Sequence, residues 1–350
     1  MKAAILNGIR KLEINDIPEP QIKNSTDVLL KIGYVGVCGS DIHYYNGGKI
    51  GNQVVQYPFV IGHECSASVH EIGSGVTKVK PGDKVAVDPA IVCGKCHQCL
   101  MGRVNTCLNL KFLGCPGQME GCLSEYIVMP QENCYPTPQG MSLIQAALVE
   151  PFSIGLYAVK LLQDFPARKI GILGAGPIGL SVLLAAQNAG IRSIYMTDKI
   201  DFRLVTAKKH GAIWGGNPEK IDIVNEIHCQ EPFGLDAIFE CCGDQAALNQ
   251  AIDLLRPGGK LFILGIPEEN RVSFDINQLR RKEICIQNVR RQNSCTEEAI
   301  KLLANRMVNL DWMVTHFFNL EQTEDAFQVV ANYQDQVLKA MIGLTYTTKQ

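Results

Sequence analysis

The spacing of apolar and polar positions changes partway along the chain. Up to about residue 150, short β-branched runs such as Val28–Ile32, Val69–Ile72 and Lys84–Val87 are separated by turn signals such as Pro81-Gly82-Asp83. This pattern predicts a mostly β domain. From Lys169 to about Cys285 short apolar runs alternate with helical spacing. Lys169–Leu173 reads as strand, Ile178–Asn188 as helix, Ser193–Thr197 as strand and Phe202–His210 as helix, followed by Ala237–Glu240, Ala246–Leu255 and Lys260–Leu264. Such alternation predicts a parallel sheet covered by helices on both faces. The expected class is α/β, with a β-rich domain joined to a doubly wound one. Part of the last 60 or so residues is expected to return to the first domain.

Composition narrows the class. The chain has 350 residues, 46% apolar and 19% charged, with a net charge of −2. That describes a globular protein with no electrostatic footprint for nucleic acid or a membrane surface. The stretch Ile170–Ile191 carries no charge, but Gly174, Gly176, Pro177 and Gly179 interrupt it, so a buried strand–turn–helix explains it better than a membrane span. The segment Met1–Asn7 lacks the layout of a signal peptide, which points to the cytoplasm. In a reducing compartment the fourteen cysteines are either packing residues or metal ligands, and spacing must decide which.

Cys93, Cys96, Cys99 and Cys107 are spaced C-x2-C-x2-C-x7-C. Four thiolates at this spacing can close a tetrahedral shell around zinc, leaving no position for substrate, so the site would be structural. An iron–sulfur cluster is the rival occupant. A second set of candidates is scattered: Cys38 in Gly36-Val37-Cys38-Gly39-Ser40-Asp41, His63-Glu64 after Gly62, and Glu150 before Pro151. A thiolate, an imidazole and a carboxylate would supply the three ligands of a catalytic zinc and leave one position exchangeable.

Gly174-Ala175-Gly176-Pro177-Ile178-Gly179 follows one predicted strand and opens a helix. In that context G-x-G-x-x-G is a dinucleotide fingerprint, with the pyrophosphate at the helix N-terminus. Asp198 closes the next strand, nineteen residues beyond Gly179. A carboxylate there accepts from both ribose hydroxyls and repels a 2′-phosphate, which favours NAD over NADP. Arg203 would help to hold the ribose.

With these motifs in place, the chain resembles the zinc-containing medium-chain dehydrogenases, and most of all their sorbitol/polyol dehydrogenase branch. The resemblance runs nearly end to end, through Cys38-Gly39-Ser40-Asp41, Gly62-His63-Glu64, the four cysteines, Glu150-Pro151, the glycine fingerprint and Val314-Thr315-His316, with Ala67 where the family signature has Gly. It implies a GroES-like catalytic domain over 1–152 and 290–350, and a Rossmann NAD-binding domain over 153–289. It makes Cys38, His63 and Glu64 ligands of a catalytic zinc, with Glu150 at or near the metal. Asp41 would then accept from His63 and fix its tautomer. A zinc of this kind acts as a Lewis acid that favours an alkoxide near neutral pH, from which hydride can leave. Ser40 and His43 would carry the proton outward. Pro177, Ile178, Leu264 and Val289 join the cofactor contacts, Tyr44, Glu150 and Arg291 face substrate, and Glu150 joins Ser40 and His43 as a catalytic residue.

One stretch departs from the branch. Where sorbitol dehydrogenases carry Phe-Arg-Tyr, this chain has Arg290-Arg291-Gln292, which predicts a more polar pocket suited to a sugar acid, a phosphorylated polyol or a cyclic polyol. The expected activity is oxidation of a secondary hydroxyl on a polyol or sugar derivative, by a homo-oligomer (tetramer or dimer). The alternatives are a threonine-type dehydrogenase, whose counterpart of Glu150-Pro151 is often Asp-Pro, and a non-catalytic dinucleotide-binding protein on the same fold.

Overall fold

The ten-residue strand Asp27–Gly36 organises the N-terminal part of the protein. Val28, Leu29, Leu30, Ile32 and Val35 are all buried, so both of its faces are covered, and each such side chain contributes about 1.5–3 kcal/mol by leaving water. In the computed structural model, which describes residues 1–163 and 165–344, the chain forms two compact units. One comprises Met1–Glu150 together with the chain from Thr296 onward; the other is Pro151–Cys295.

In the first unit, sheet neighbours run in the order Cys134–Pro136, Lys84–Val87, Glu64–Ile72, Asp27–Gly36, Lys339–Gly343, Val314–Asn319. The central strand is long enough to take two partners along one edge: Tyr126–Pro130 pairs with its first half and Lys339–Gly343 with its last three residues. The last described strand is therefore laid beside the segment that leads into Cys38. Glu64–Ile72 pairs antiparallel on the other edge, with Glu64 opposite Gly36. These pairings bring three distant pieces of sequence to one end of one sheet.

The second unit is a parallel sheet with neighbours in the order Trp214–Gly216, Ser193–Thr197, Lys169–Leu173, Leu235–Glu240, Leu255–Ile263, Cys285–Asn288. Numbered along the chain this is 3-2-1-4-5-6, the doubly wound order, whose direction reverses between Lys169–Leu173 and Leu235–Glu240. Helices Pro177–Asn188, Asp201–Lys209, Ile223–Gln230 and Gln245–Leu254 follow the strands. The core is close-packed around Phe239 and Phe262, whose rings stack with centroids 4.9 Å apart. The fifth strand begins at Leu255, ahead of the apolar run that predicts it. Its ladder slips around Pro257-Gly258-Gly259, so Leu255 pairs with Leu235 but the next pair is Ala237 with Lys260.

Candidate active site and metal centres

The sequence around Cys38 sets its own geometry. Gly39–Gly47 is a helix whose N-cap is Cys38, and Asp41 reaches back to accept from the Cys38 N–H at 3.2 Å. The other carboxylate oxygen of Asp41 accepts from the Gly62 N–H at 3.3 Å and lies 3.3 Å from His63 Nδ1. One fully buried carboxylate thus caps the helix, ties down the Gly62 loop and orients the imidazole. Burial opposes a charge on His63, but Asp41 and Cys38 more than offset it and hold its pKa well above the ordinary value. The ring packs against Phe112, with centroids 5.3 Å apart.

Cys38 Sγ, one His63 nitrogen and one Glu64 oxygen lie within 4.8 Å of one another. This is a sulfur, nitrogen and oxygen set of the kind that holds a catalytic zinc with one position left over. Glu64 is 1% exposed and is not alone. Lys339, itself 2% exposed, donates to Glu64 Oε1 at 2.8 Å and Oε2 at 2.6 Å, and to the Val37 carbonyl at 3.1 Å. Burial penalises the ammonium, yet Glu64, Cys38 and Glu150 raise its pKa. A carboxylate has about four lone-pair sites, so Glu64 can face Lys339 and still offer a lone pair to a metal. Lys339 is a site residue that sequence reasoning does not find. The available signal is a lysine heading the apolar run Ala340-Met341-Ile342.

Glu150 stands outside that three-residue group. It sits in the first turn of helix Val149–Lys160, 6% exposed, and burial pushes its pKa up to about 7. His63 and Lys339 pull the other way, and Glu64 and Asp88 add to the rise. Ser40 Oγ donates to Cys38 Sγ at 3.4 Å, and His43 follows on the same helix. Tyr44 is buried, its hydroxyl 3.4 Å from Gln53 Oε1 and 3.9 Å from Cys115 Sγ.

The four cysteines of the second cluster converge. Sulfur separations are 3.5 Å for Cys96–Cys99, 3.6 Å for Cys93–Cys107 and 3.9 Å for Cys96–Cys107. A tetrahedron with zinc–sulfur bonds of about 2.3 Å has edges of about 3.8 Å, so the spacing fits one zinc ion. A four-iron cluster puts each thiolate on a different iron and holds the sulfurs much further apart. The Leu108 N–H donates to Cys96 Sγ and Asn109 Nδ2 to Cys93 Sγ, both at 3.5 Å, which favours thiolate. The Asn109 bond leads the causes that bring Cys93 down to about 6, whereas burial raises Cys99 to about 12.

In the second unit the fingerprint glycines have separate reasons. Gly174 has φ +101° and a Cβ on Gly179 would overlap the Gly174 carbonyl, so those two are dictated by the turn. A Cβ on Gly176 would meet only Arg203 Nη1, at 3.4 Å, which leaves the helix N-terminus open to a pyrophosphate. Pro177 occupies the first helical turn, with Ile178 beside it. Asp198 Oδ2 accepts from the Ala175 N–H at 2.7 Å and Oδ1 from the Ile200 N–H at 2.8 Å, with Arg203 Nη1 3.9 Å away. The carboxylate therefore braces the fingerprint loop as well as offering lone pairs outward. Leu264 and Val289 lie just past the carboxyl ends of neighbouring strands. Arg291 adopts φ +52°, and Gln292 is engaged locally, its Oε1 accepting from the Cys295 N–H at 2.7 Å.

Comparison with known proteins agrees with this geometry. The alcohol dehydrogenase GroES-like domain family matches residues 24–139 and the zinc-binding dehydrogenase family residues 177–305. The chain is 38% identical over 343 residues to the sorbitol dehydrogenase of Bacillus subtilis, covering 98% of this chain and 97% of that protein. It is 34% identical to D-xylulose reductase A of Aspergillus oryzae, covering 93% and 92%. It is similar in structure to galactitol-1-phosphate dehydrogenase from Escherichia coli, with a TM-score of 0.89 at 26% identity over 98% of this chain and all of that one (100%). The chain belongs to the zinc-binding medium-chain dehydrogenases. It is an NAD-linked oxidoreductase of that family, with a GroES-like catalytic part and a Rossmann coenzyme-binding part.

Proposed function

We propose that this protein oxidises a secondary hydroxyl of a polyol or sugar derivative to the ketone, with NAD as hydride acceptor. The observation that carries the reading is the converging Cys38–His63–Glu64 donor set, with His63 and Glu64 buried and Glu150 close enough to interact with them electrostatically. Zinc held by Cys38, His63 and Glu64 would supply Lewis acidity that lowers the pKa of a substrate hydroxyl. Asp41 orients His63 and selects its tautomer. Lys339 balances the charge of Glu64, so the donor set presents less negative charge to the metal than its formal count. A carboxyl near pKa 7 at Glu150 is matched to moving a proton at neutral pH. Ser40 and His43, on the helix that Cys38 caps, are the proposed route outward. Cys93, Cys96, Cys99 and Cys107 hold a second, structural zinc, and Asp198 with Arg203 selects NAD.

Tyr44 and Arg291 are the proposed substrate contacts. Arg290-Arg291-Gln292 favours a polar or anionic substrate, and the names of relatives that act on sorbitol and on galactitol 1-phosphate support a polyol or its phosphate. The protein would act in the cytoplasm as a tetramer or dimer. Among the described residues no helix is long and apolar enough to cross a membrane. The edge strand Cys285–Asn288, largely exposed, leaves a sheet edge for a second subunit. The test is a panel of polyols, inositols, sugar acids and polyol phosphates read by NAD reduction, before and after metal removal. Activity that survives complete loss of both zinc ions would sink the proposal.

A further inference from the structure

Glu240 is a buried carboxylate that the chemistry above does not use. It is fully buried at the carboxyl end of strand Leu235–Glu240, where the strand order of the parallel sheet changes direction. Ligands of open parallel sheets bind in the crevice at such a reversal. Glu240 Oε1 accepts from three donors: the Cys242 N–H at 2.8 Å, the Gly243 N–H at 2.6 Å and Cys242 Sγ at 3.0 Å. Its main-chain carbonyl accepts from the N–H groups of Leu264 at 2.8 Å and Gly265 at 3.0 Å. Glu240 Oε2 is buried and has no partner among the described residues.

The turn so held is wedged between two cofactor-side loops. The Cys241 N–H donates to the Leu173 carbonyl at 2.8 Å, and a Cβ on Gly174 would stand 3.2 Å from Cys242 Cβ. On the other flank a Cβ on Gly243 would stand 2.5 Å from the Ile266 carbonyl oxygen. A carboxylate taken wholly out of water is costly, and a shorter polar side chain could cap a turn at less expense. The acceptor left over faces Gly265, where a Cβ would lie 2.6 Å away. A half-satisfied buried group of this kind needs a reason beyond folding.

We infer that Glu240 is a positioning residue for the dinucleotide: it sets Cys241–Gly243 against the fingerprint loop, and the cofactor binds only as well as that turn is held. This rests on the reading of the second unit as the NAD site. The test is NADH titration by fluorescence on the whole zinc-loaded enzyme, alongside KM for NAD, kcat, zinc content and Tm. Glu240→Ala is expected to raise the NADH Kd and the KM for NAD by about tenfold or more. Zinc content should stay at the wild-type level and kcat at saturating NAD within about threefold of it. Glu240→Gln keeps an amide oxygen for the two N–H donors and is expected to bind NADH within about threefold of wild type. If Glu240→Ala does not fold, Glu240→Asp decides, because one methylene fewer withdraws the acceptor and should still raise the Kd. Wild-type Kd values in the Ala or Asp variant overturn the inference. So does Glu240→Gln binding as poorly as Glu240→Ala, or zinc lost in step with NADH binding. A wild-type enzyme that binds no NADH overturns the cofactor reading itself.

Discussion

The ammonium of Lys339 sits 2.8 and 2.6 Å from the two carboxylate oxygens of Glu64, with both side chains buried and the two residues 275 positions apart in sequence. Removing one partner of such a pair leaves an uncompensated charge, which costs about 3–5 kcal/mol in other proteins. Lys339→Met is therefore expected to destabilise the zinc-free protein strongly. The loss should be smaller with zinc present, because the metal then supplies Glu64 with a second counter-charge. Thermal unfolding with and without zinc measures the difference; equal losses in both states would argue that Glu64 does not face the metal.

Gly36 and Glu64 are opposite one another on adjacent strands. A Cβ on Gly36 would fall on Glu64 Oε2 and 3.4 Å from Glu64 Cβ. Gly36→Ala is expected to push the carboxylate aside, lowering kcat/KM by about 100-fold, in the range seen when support around a metal ligand is lost. The structural zinc should remain. Metal analysis should find one ion tightly held and the other weakened, and an unchanged kcat/KM would remove Glu64 from the catalytic group.

The four-cysteine lobe has few buried side chains, and Leu100, Met101 and Leu108 are exposed. Metal ligation must supply what packing does not. Cys107→Ser is expected to lower the zinc content from about two to about one per chain and reduce Tm, with the remaining ion still supporting turnover below the new Tm. Because thiols such as Cys99, raised to about 12, must lose protons to bind, zinc loading should release protons and weaken as pH falls. A pH-independent zinc affinity would contradict thiolate ligation.

Glu150 gives a signed pH prediction for the zinc-free protein. Its pKa rises from 4.5 to about 7 on burial, so between those values the folded state holds the proton more firmly than the unfolded state. The contribution of this group to stability is thus fully present below about 4.5 and is lost as pH rises through about 7. Glu150→Gln cannot ionise and is expected to remove that part of the slope, making the variant relatively more stable than wild type at pH 8. Tm measured against pH for both proteins, stripped of metal, tests it; parallel curves would show that Glu150 does not titrate in this window.

Features built from neighbours in sequence are legible in the sequence itself. The fingerprint turn needs Gly174 and Gly179 for backbone reasons that act within six residues, and Lys169–Leu173 and Ser193–Thr197 fall where the pattern puts them. The spacing of the cysteines likewise suffices to name a closed metal shell, although only the sulfur distances separate zinc from an iron–sulfur cluster. The slip at Pro257-Gly258-Gly259 is not legible there, because it depends on which residues of the neighbouring strand remain available to pair.

The sequence by itself determined the α/β class, the glycine turn, the cysteine cluster and the set of residues able to bind metal, because each depends on local backbone preference or on ligand chemistry. Tertiary structure alone decided which of those residues meet. A lysine at the head of an apolar strand has the same local pattern with or without a buried carboxylate beside it. Only the pairing of Lys339–Gly343 with the end of Asp27–Gly36, and of that strand with Glu64–Ile72, puts Lys339 on Glu64. Glu240 makes the same point in the other unit: its neighbours in sequence show only a strand end, and the pairing of Leu235–Glu240 with Lys169–Leu173 is what brings the turn it holds against the fingerprint loop.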